Sequence, residues 1–282
     1  MNTVKFTNCP LCGSGRIKRK GDIRYHAPVV FSSTEILVRN IPELWNCGNC
    51  GSGFTQNVIP ERLAMELYSD GNSGDRWSGE AIEDQKTPAL ICRLSALLRT
   101  GMKVLDIGCN TGALLDFAKK RGCKTFGVEL SGQSRLALEK KGHRAFGCME
   151  DVDGFFDAIF AFDLIEHLYN VGQFFDFCRS KLSNGGVVFF LTGDISSLSA
   201  KLARSKWWYL RYPEHIIFPS KSYFKSLSGF RIVGWAPAYA SAAYKQPLYV
   251  ACKSMVKPFL AGKYEGLPSL GPDHIMGALK KC

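Results

Sequence analysis

Residues 103–120 read KVLDIGCNTGALLDFAKK, and this stretch decides the fold of the chain. An apolar strand runs into Asp106, a turn follows between Gly108 and Gly112, and a helical pattern begins after the second glycine. Glycines let the backbone approach a ligand closely, and the first turn of a helix offers unpaired N–H groups. The stretch therefore predicts a strand–turn–helix unit that binds a small-molecule ligand.

The spacing in this loop differs from that of two common nucleotide-binding motifs. A dinucleotide-binding turn reads G-x-G-x-x-G, whereas Asn110 stands where the middle glycine would be, and no Gly-Lys-Ser/Thr follows as in a P-loop. Asparagine tolerates left-handed backbone angles better than most residues, so we expect the turn to persist. The preceding acid, Asp106, would repel a pyrophosphate and attract an ammonium group.

Strand and helix patterns alternate after this unit. Near-continuous apolar strands separated by helices are typical of a parallel sheet that is covered on both faces. Two later segments are predicted to add strands, the last of them returning along the sheet. We therefore predict an α/β fold with a doubly wound, mostly parallel, seven-stranded sheet. The predicted strands are KVLDIG, KTFGVEL, HRAFG, FDAIFAF, GVVFFLTG, FRIVGWAPAYAS and PLYVACKSM.

Four cysteines in two Cys-x-x-Cys pairs mark the N-terminal region, and glycine follows each pair. Four thiolates at this spacing are typical of a tetrahedral structural zinc site, although the spacer between the pairs is long. Because four thiolates leave no open coordination position, we expect no catalytic role for the metal. A thiol redox pair and a chance arrangement are the alternatives. The predicted zinc ligands are Cys9, Cys12, Cys47 and Cys50.

The motif VLDIGCNTG resembles the first motif of the class I S-adenosylmethionine-dependent methyltransferases, which have a Rossmann-like fold. FDAIFAFDLIEHL and LSNGGVVFFLTG are similar to the fourth-strand and fifth-strand motifs of that family. The resemblance covers roughly residues 102–253. It implies that the first loop lies beside the methionine moiety, that Glu129 accepts the ribose hydroxyls, and that the segment after the third strand contacts adenine. The implied cofactor-binding residues are Asp106, Gly108, Asn110, Gly112, Glu129, Met149, Glu150 and Phe162.

With a predicted zinc ribbon before such a domain, the chain resembles the branch that includes deoxysugar C-methyltransferases. In that branch the ribbon helps to enclose the substrate. Those enzymes carry a further large C-terminal domain, which we do not expect here because the sequence ends soon after the last predicted strand, and this difference counts against C-methylation of a keto sugar. The resemblance implies a zinc ribbon at residues 1–60, a helical linker or cap at 61–100, an S-adenosylmethionine-binding methyltransferase domain at 101–255 and a C-terminal tail at 256–282.

Three candidate catalytic residues follow from position and from the same resemblance. His167 follows the fourth strand at the carboxyl edge of the sheet, where α/β proteins bind ligands, and is expected to act as a base or to hold the next loop. Tyr212 and His215 match places that serve at the substrate in the sugar enzymes, the histidine as base. Tyr68, in the linking segment, is a weaker candidate for the same cleft.

The net charge of +11 suggests an anionic partner. Basic and aromatic residues interleave between residues 196 and 235, which suits a phosphorylated metabolite, an RNA or an acidic membrane surface; a solvated surface over core aromatics is the plainer interpretation. The chain has no apolar run of membrane-spanning length and no signal peptide, so we expect it to be cytoplasmic, with reduced cysteines.

The expected function is methyl transfer from S-adenosylmethionine to a small or carrier-linked anionic metabolite, first among them a nucleotide-activated or glycan sugar. An RNA methyltransferase is an alternative that the charge and the ribbon support, but the chain has no recognised RNA-binding motif and no N-P-P-Y-like tetrapeptide after the fourth strand. A scaffold that binds the donor without catalysis is the third hypothesis, and it gives no reason for the acidic side chains of the loop.

Overall fold

The computed structural model describes residues 1–25, 27–71, 81–239, 269 and 271–282. Strands are β1 (Ile17–Asp22), β2 (Val29–Phe31), β3 (Thr34–Ile36), β4 (Glu43–Cys47), β5 (Gly53–Gln56), β6 (Lys103–Ile107), β7 (Lys124–Val128), β8 (Arg144–Phe146), β9 (Phe156–Phe162), β10 (Leu182–Gly193), β11 (Ile217–Phe218), β12 (Phe230–Ala238) and β13 (His274–Lys281). Helices are α1 (Glu61–Asp70), α2 (Ile82–Gln85), α3 (Pro88–Leu97), α4 (Ala113–Lys119), α5 (Gly132–Lys140), α6 (Val171–Lys181), α7 (Leu198–Ala203) and α8 (Lys221–Lys225). The described residues also form two short 3-10 helices, Ile165–His167 and Arg204–Lys206.

Seven strands form the central sheet, in the order β12-β13-β10-β9-β6-β7-β8. The pairs from β10 to β8 are parallel, whereas β13 runs antiparallel to both of its neighbours. The predicted mostly parallel, seven-stranded α/β sheet is therefore confirmed. Among the described residues, no helix is both long enough and apolar enough to span a bilayer.

The strand β9 shows why the sheet is covered on both faces. Ile159 and Ala161 belong to one buried apolar cluster, and Ala158 and Phe160 belong to the other. Because successive side chains of a strand point to opposite faces, both faces of this strand bury apolar groups. Each fully buried side chain of phenylalanine size contributes about 1.5–3 kcal/mol.

The C-terminal segment differs from its sequence-based prediction. Residues 256–282 were expected to form a tail, but β13 lies within them and fills the position between β10 and β12. An isolated run such as HIMGALKK has no clear period, and its pairing partners lie far away in sequence, so local pattern does not reveal it. The predicted strand PLYVACKSM lies outside the described residues.

The N-terminal four-stranded sheet, ordered β1-β4-β5-β11, also crosses the predicted domain boundary. Its last strand comes from residues 217–218, which pair antiparallel with Phe54 and Gly53. Thr55 extends this contact, because its backbone N–H donates to the Ile216 carbonyl at 2.8 Å. An edge strand leaves backbone groups unpaired, and β11 pairs those of β5. The N-terminal sheet therefore includes a strand from the segment that follows β10.

Candidate active site

The loop after β6 has the backbone conformation that its composition predicts. Gly108, Asn110 and Gly112 all have positive φ, of 72°, 47° and 87°. A Cβ atom on Gly112 would lie 2.5 Å from the Leu138 side chain, so both its conformation and its packing require glycine. The turn ends in α4, which begins after Gly112 and whose first N–H groups have no acceptor within the helix.

Two acidic residues lie at adjacent strand ends beneath this loop. Asp106 is 5% exposed, and its burial, with the nearby charge of Glu129, raises the pKa of its carboxyl well above the usual range. Burial also raises the pKa of Glu129, against the opposing effect of N–H donors from Ser131 and Asn110, both 2.9 Å from the carboxylate. A carboxylate has about four acceptor positions, so Glu129 retains capacity for ligand hydroxyls.

The other predicted cofactor-binding residues surround the same edge of the sheet. Met149 and Glu150 follow β8, with Met149 partly buried against the core and Glu150 exposed. Phe162 ends β9, where its ring packs 6.0 Å from Phe160 and 5.9 Å from Phe189. Sequence places these residues near the cofactor only by resemblance, and their role stays a prediction.

A buried hydrogen-bond network occupies the end of β9. Glu166 is 0% exposed, and its carboxylate accepts hydrogen bonds from the Tyr209 hydroxyl and from Thr192 Oγ1, the latter at 2.8 Å. Its backbone carbonyl accepts the Ile216 N–H at 2.8 Å. Gly193 follows Thr192, and a Cβ there would lie 2.2 Å from the Tyr209 ring. The network therefore depends on close packing of Tyr209 against the end of β10.

The two candidate histidines lie side by side. The His167 and His215 rings are 4.8 Å apart in edge-to-face contact. His215 Nδ1 donates to the Tyr209 carbonyl at 2.8 Å, and burial, followed by repulsion from His167, holds the pKa of His215 well below its usual range. His167 Nδ1 shares a hydrogen bond of 2.9 Å with the Tyr68 hydroxyl. The structure thus brings the imidazoles of His167 and His215 together with the phenol of Tyr68.

Tyr212 takes a different place. Its hydroxyl donates to the Asn57 carbonyl at 2.9 Å, its ring packs 5.5 Å from Tyr25, and burial raises the pKa of the phenol. These contacts join Tyr212 to the N-terminal region. A catalytic role for Tyr212 remains a prediction, and its hydroxyl in this state is engaged with the backbone.

Leu164 links the glycine loop to the histidine pair, because its backbone carbonyl accepts the His167 N–H at 2.9 Å while its side chain faces Gly108. Leu164 lies two residues before Glu166, and its Cδ1 is 3.0 Å from the position that a Cβ on Gly108 would occupy. Only glycine at that position allows this approach.

Four thiols of the N-terminal region converge. Sγ of Cys9 lies 3.8 Å from that of Cys50, Sγ of Cys12 lies 3.6 Å from that of Cys47, and all four fall within 4.8 Å of one another. Zn–S bonds of about 2.3 Å in a regular tetrahedron give S–S edges of about 3.8 Å. The donor set and its spacing fit a tetrahedral zinc ion.

The basic segment between residues 196 and 235 divides by burial. Its cationic side chains are mostly exposed, as Lys201, Arg204 and Lys206 are, whereas Trp207 and Tyr209 belong to the buried core. Buried rings are not available for stacking on bases. This favours a charged surface over a nucleic-acid stacking platform.

Several polar residues near the site have no sequence signal. Tyr209 lies in an aromatic run, and its distance of 43 residues from Glu166 hides their contact. Lys86 Nζ forms an ion pair with Asp163, at 2.5 Å, beside the end of β9. Asp273, with its pKa lowered by hydrogen bonds from His274 and others against the effect of burial, lies in the predicted tail. Only the fold brings these groups together.

Residues 80–231 match the family described as the methyltransferase domain, which is more than half of the chain. The chain belongs to this methyltransferase family. The match spans β6 to β10 with the glycine loop and both acidic residues, and the fold is that of the class I S-adenosylmethionine-dependent methyltransferases.

Individual relatives agree with the family. This methyltransferase-family chain is 33% identical over 97 residues to ubiquinone biosynthesis O-methyltransferase of Nitrobacter winogradskyi, covering 31% of this chain and 37% of the relative. It is 30% identical over 105 residues to a probable fatty acid methyltransferase of Mycobacterium tuberculosis, covering 32% and 24%. The chain thus spans well under half the length of these two relatives.

A solved structure shows the same fold. Magnesium protoporphyrin IX methyltransferase from Synechocystis PCC 6803, crystallised with bound S-adenosylmethionine, aligns over 80% of this chain and 98% of its own, with a TM-score of 0.50 and 11% identity. At this identity the likeness concerns the fold.

Proposed function

We propose that the protein transfers the methyl group of S-adenosylmethionine to a small or carrier-linked anionic acceptor. One observation supports the proposal: Leu164 packs against Gly108 of the glycine loop with its side chain and accepts the His167 N–H with its backbone carbonyl, next to the His167–His215 pair. The donor, when bound, supplies an electrophilic methyl carbon on a positively charged sulfur. Transfer needs an acceptor atom held in line with that carbon.

The residues of the loop divide the binding of the donor. Asp106 and Glu129 place two carboxyl groups where a cationic amino group and ribose hydroxyls are expected, and Gly108, Asn110 and Gly112 permit close approach of the backbone. Binding a cation beside Asp106 favours its ionised form and so offsets the burial that raises its pKa.

His215 and His167 act on the acceptor in this proposal. With Nδ1 of His215 donating to Tyr209, its Nε2 carries the ring lone pair and can take up a proton or hold one in a hydrogen bond. A low pKa keeps that nitrogen free of a proton at neutral pH. Tyr68 orients His167 through the 2.9 Å contact.

The proposed acceptor is a sugar that carries phosphate, such as a nucleotide-activated or glycan sugar. The support is the resemblance of the ribbon and of the Tyr212–His215 stretch to the deoxysugar C-methyltransferases, together with the exposed cations of residues 196–235. The names of the relatives, a ubiquinone-biosynthesis O-methyltransferase and a fatty acid methyltransferase, support small molecules more generally and oxygen as an acceptor atom. We also propose that Cys9, Cys12, Cys47 and Cys50 hold a structural zinc ion.

The test is transfer of labelled methyl groups from S-adenosylmethionine into fractionated cell extract, with the Glu129→Ala variant as a background control. Label in a small anionic pool that is lost after pyrophosphatase treatment would support the nucleotide-sugar acceptor. Label that enters an organic phase would replace the sugar with a lipid or quinone-type acceptor. Label sensitive to ribonuclease would overturn the small-molecule proposal, and no label despite donor binding would overturn catalysis.

A further inference from the structure

In the part of the chain that the structure describes, the buried carboxyl group of Glu166 has no lysine or arginine as an ion-pair partner. It is fully buried and accepts hydrogen bonds from two hydroxyl groups, on Tyr209 and Thr192. A cation bound beside a buried carboxyl group favours its ionised form and can use its oxygen as a ligand.

The adjacent imidazoles are held in the way that metal-binding histidines usually are. His215 uses Nδ1 to donate to the Tyr209 carbonyl, and His167 uses Nδ1 in its contact with the Tyr68 hydroxyl. Because a carbonyl only accepts, Nδ1 of His215 carries the proton and its Nε2 carries the lone pair, whereas the Tyr68 hydroxyl can pair with either tautomer of His167. A hydrogen bond at one ring nitrogen fixes the tautomer and orientation of a histidine that binds metal through the other.

We infer that Glu166, His167 and His215 form a second metal site, separate from the four cysteines, for a divalent ion of the first transition row. One ligand atom from each side chain lies within 4.8 Å of the other two. Metal–ligand distances of about 2.0–2.2 Å require only a small inward movement of the three groups. Two imidazoles and one carboxylate bind Mn²⁺, Fe²⁺, Co²⁺ or Zn²⁺ with coordination positions left open, whereas Mg²⁺ and Ca²⁺ prefer all-oxygen sites.

An ion at this place would bind the methyl acceptor through an oxygen atom, and this part of the inference rests on the proposed function. A hydroxyl group bound to a divalent cation loses its proton more readily, here to solvent. The oxygen lone pair then forms the bond to the methyl carbon, while the electrons of the carbon–sulfur bond remain on sulfur and neutralise its charge. With the ion bound, His167 and His215 would hold it, and solvent would replace Nε2 of His215 as the acceptor of the proton.

Manganese titration followed by electron paramagnetic resonance tests the site without any measurement of activity. Mn²⁺ is the probe because thiolates bind it poorly, so the cysteine cluster keeps zinc and does not compete. We expect one Mn²⁺ per chain, with affinity reduced at least tenfold in His167→Ala and in His215→Ala. His143→Gln is the matched control, because His143 is a buried histidine bonded to Thr125 and Asp116 outside the cluster.

No manganese binding up to millimolar concentration by protein that contains its full zinc complement would overturn the inference. Undiminished binding in both histidine variants would overturn it as well. If one variant fails to fold, as judged by circular dichroism, the other variant and Glu166→Gln decide the result. Methyl transfer that survives without manganese binding would reject the ion and leave the proposed function intact, whereas manganese binding without transfer would do the reverse.

Discussion

The backbone N–H of Asn110 donates to Glu129 Oε2 at 2.9 Å, so the acid at the end of β7 closes the glycine loop that follows β6. The N–H of Ser131 donates to the other carboxylate oxygen at 2.9 Å. Glu129 therefore fixes the conformation of the loop, and it is also the residue proposed to bind the ribose. A backbone N–H is available at the position of the missing glycine, which explains why Asn110 suffices there.

Replacement of Glu129 by alanine should weaken donor binding by about 1.5–3 kcal/mol or more, because a charge-assisted acceptor is lost from both loop and ligand. Isothermal titration with S-adenosylmethionine measures the change. Glu139→Ala, an exposed glutamate on α5, is the matched control and should bind normally. Equal affinity of Glu129→Ala and wild type would place the ribose elsewhere.

Asp106→Asn should separate stability from binding. The folded protein raises the pKa of Asp106 by burial above the ordinary value of about 3.9, so the folded state holds a proton that the unfolded state has released. Stability of the wild type therefore falls as pH rises from the ordinary value to the raised one. The asparagine variant lacks this dependence of the unfolding free energy on pH. Its stability relative to the wild type should therefore rise as the pH increases from the ordinary to the raised pKa.

Urea unfolding at a series of pH values measures this difference in stability. Titration with S-adenosylmethionine at pH 8 measures the difference in donor affinity. There the variant should bind S-adenosylmethionine more than tenfold less tightly, because an ionised carboxylate near the ammonium group is lost. A variant that is both less stable at high pH and normal in binding would show that Asp106 is a structural residue.

The local parts of the site follow from sequence because they depend on neighbours in the chain. Strand, turn and helix at residues 103–120 form one unit, and the Cys-x-x-Cys pairs carry their spacing within four residues. The positive φ of Asn110 follows from the tolerance of asparagine for that conformation.

The remaining parts depend on contacts between distant segments. Tyr209 reaches Glu166, β11 reaches β5, and β13 pairs with β10 and β12, each across a long stretch of chain. Local periodicity carries no information about pairs of distant segments. The sequence therefore predicted a tail at residues 256–282, where β13 lies. The N-terminal boundary at residue 60 was drawn by the same reasoning, and β11 crosses it.

Cys47→Ser should remove the metal and disturb more than the ribbon. β11 pairs with β5, and His215 lies two residues before β11, so loss of the N-terminal sheet should also loosen the histidine pair. Metal analysis should show zinc falling from about one ion per chain to near none. Hydrogen exchange should show faster exchange at residues 215–218 as well as in the ribbon. Cys92→Ser, an exposed cysteine outside the cluster, should change neither quantity, and a full zinc content in Cys47→Ser would contradict the assignment.

Tyr68→Phe should lower turnover without affecting the donor. The hydroxyl lost contacts His167 at 2.9 Å, and one such hydrogen bond is worth about 0.5–1.5 kcal/mol, or roughly 2- to 12-fold in rate. Tyr169→Phe is the matched control. The Tyr169 hydroxyl donates to the Ile59 carbonyl at 2.7 Å, so this substitution removes a similar hydrogen bond away from the histidines. We expect kcat to fall in Tyr68→Phe alone, with S-adenosylmethionine affinity equal in both variants. Equal losses of kcat would mean that Tyr68 only fastens α1 to the core, because then its contact with His167 would contribute nothing that the Tyr169 contact does not.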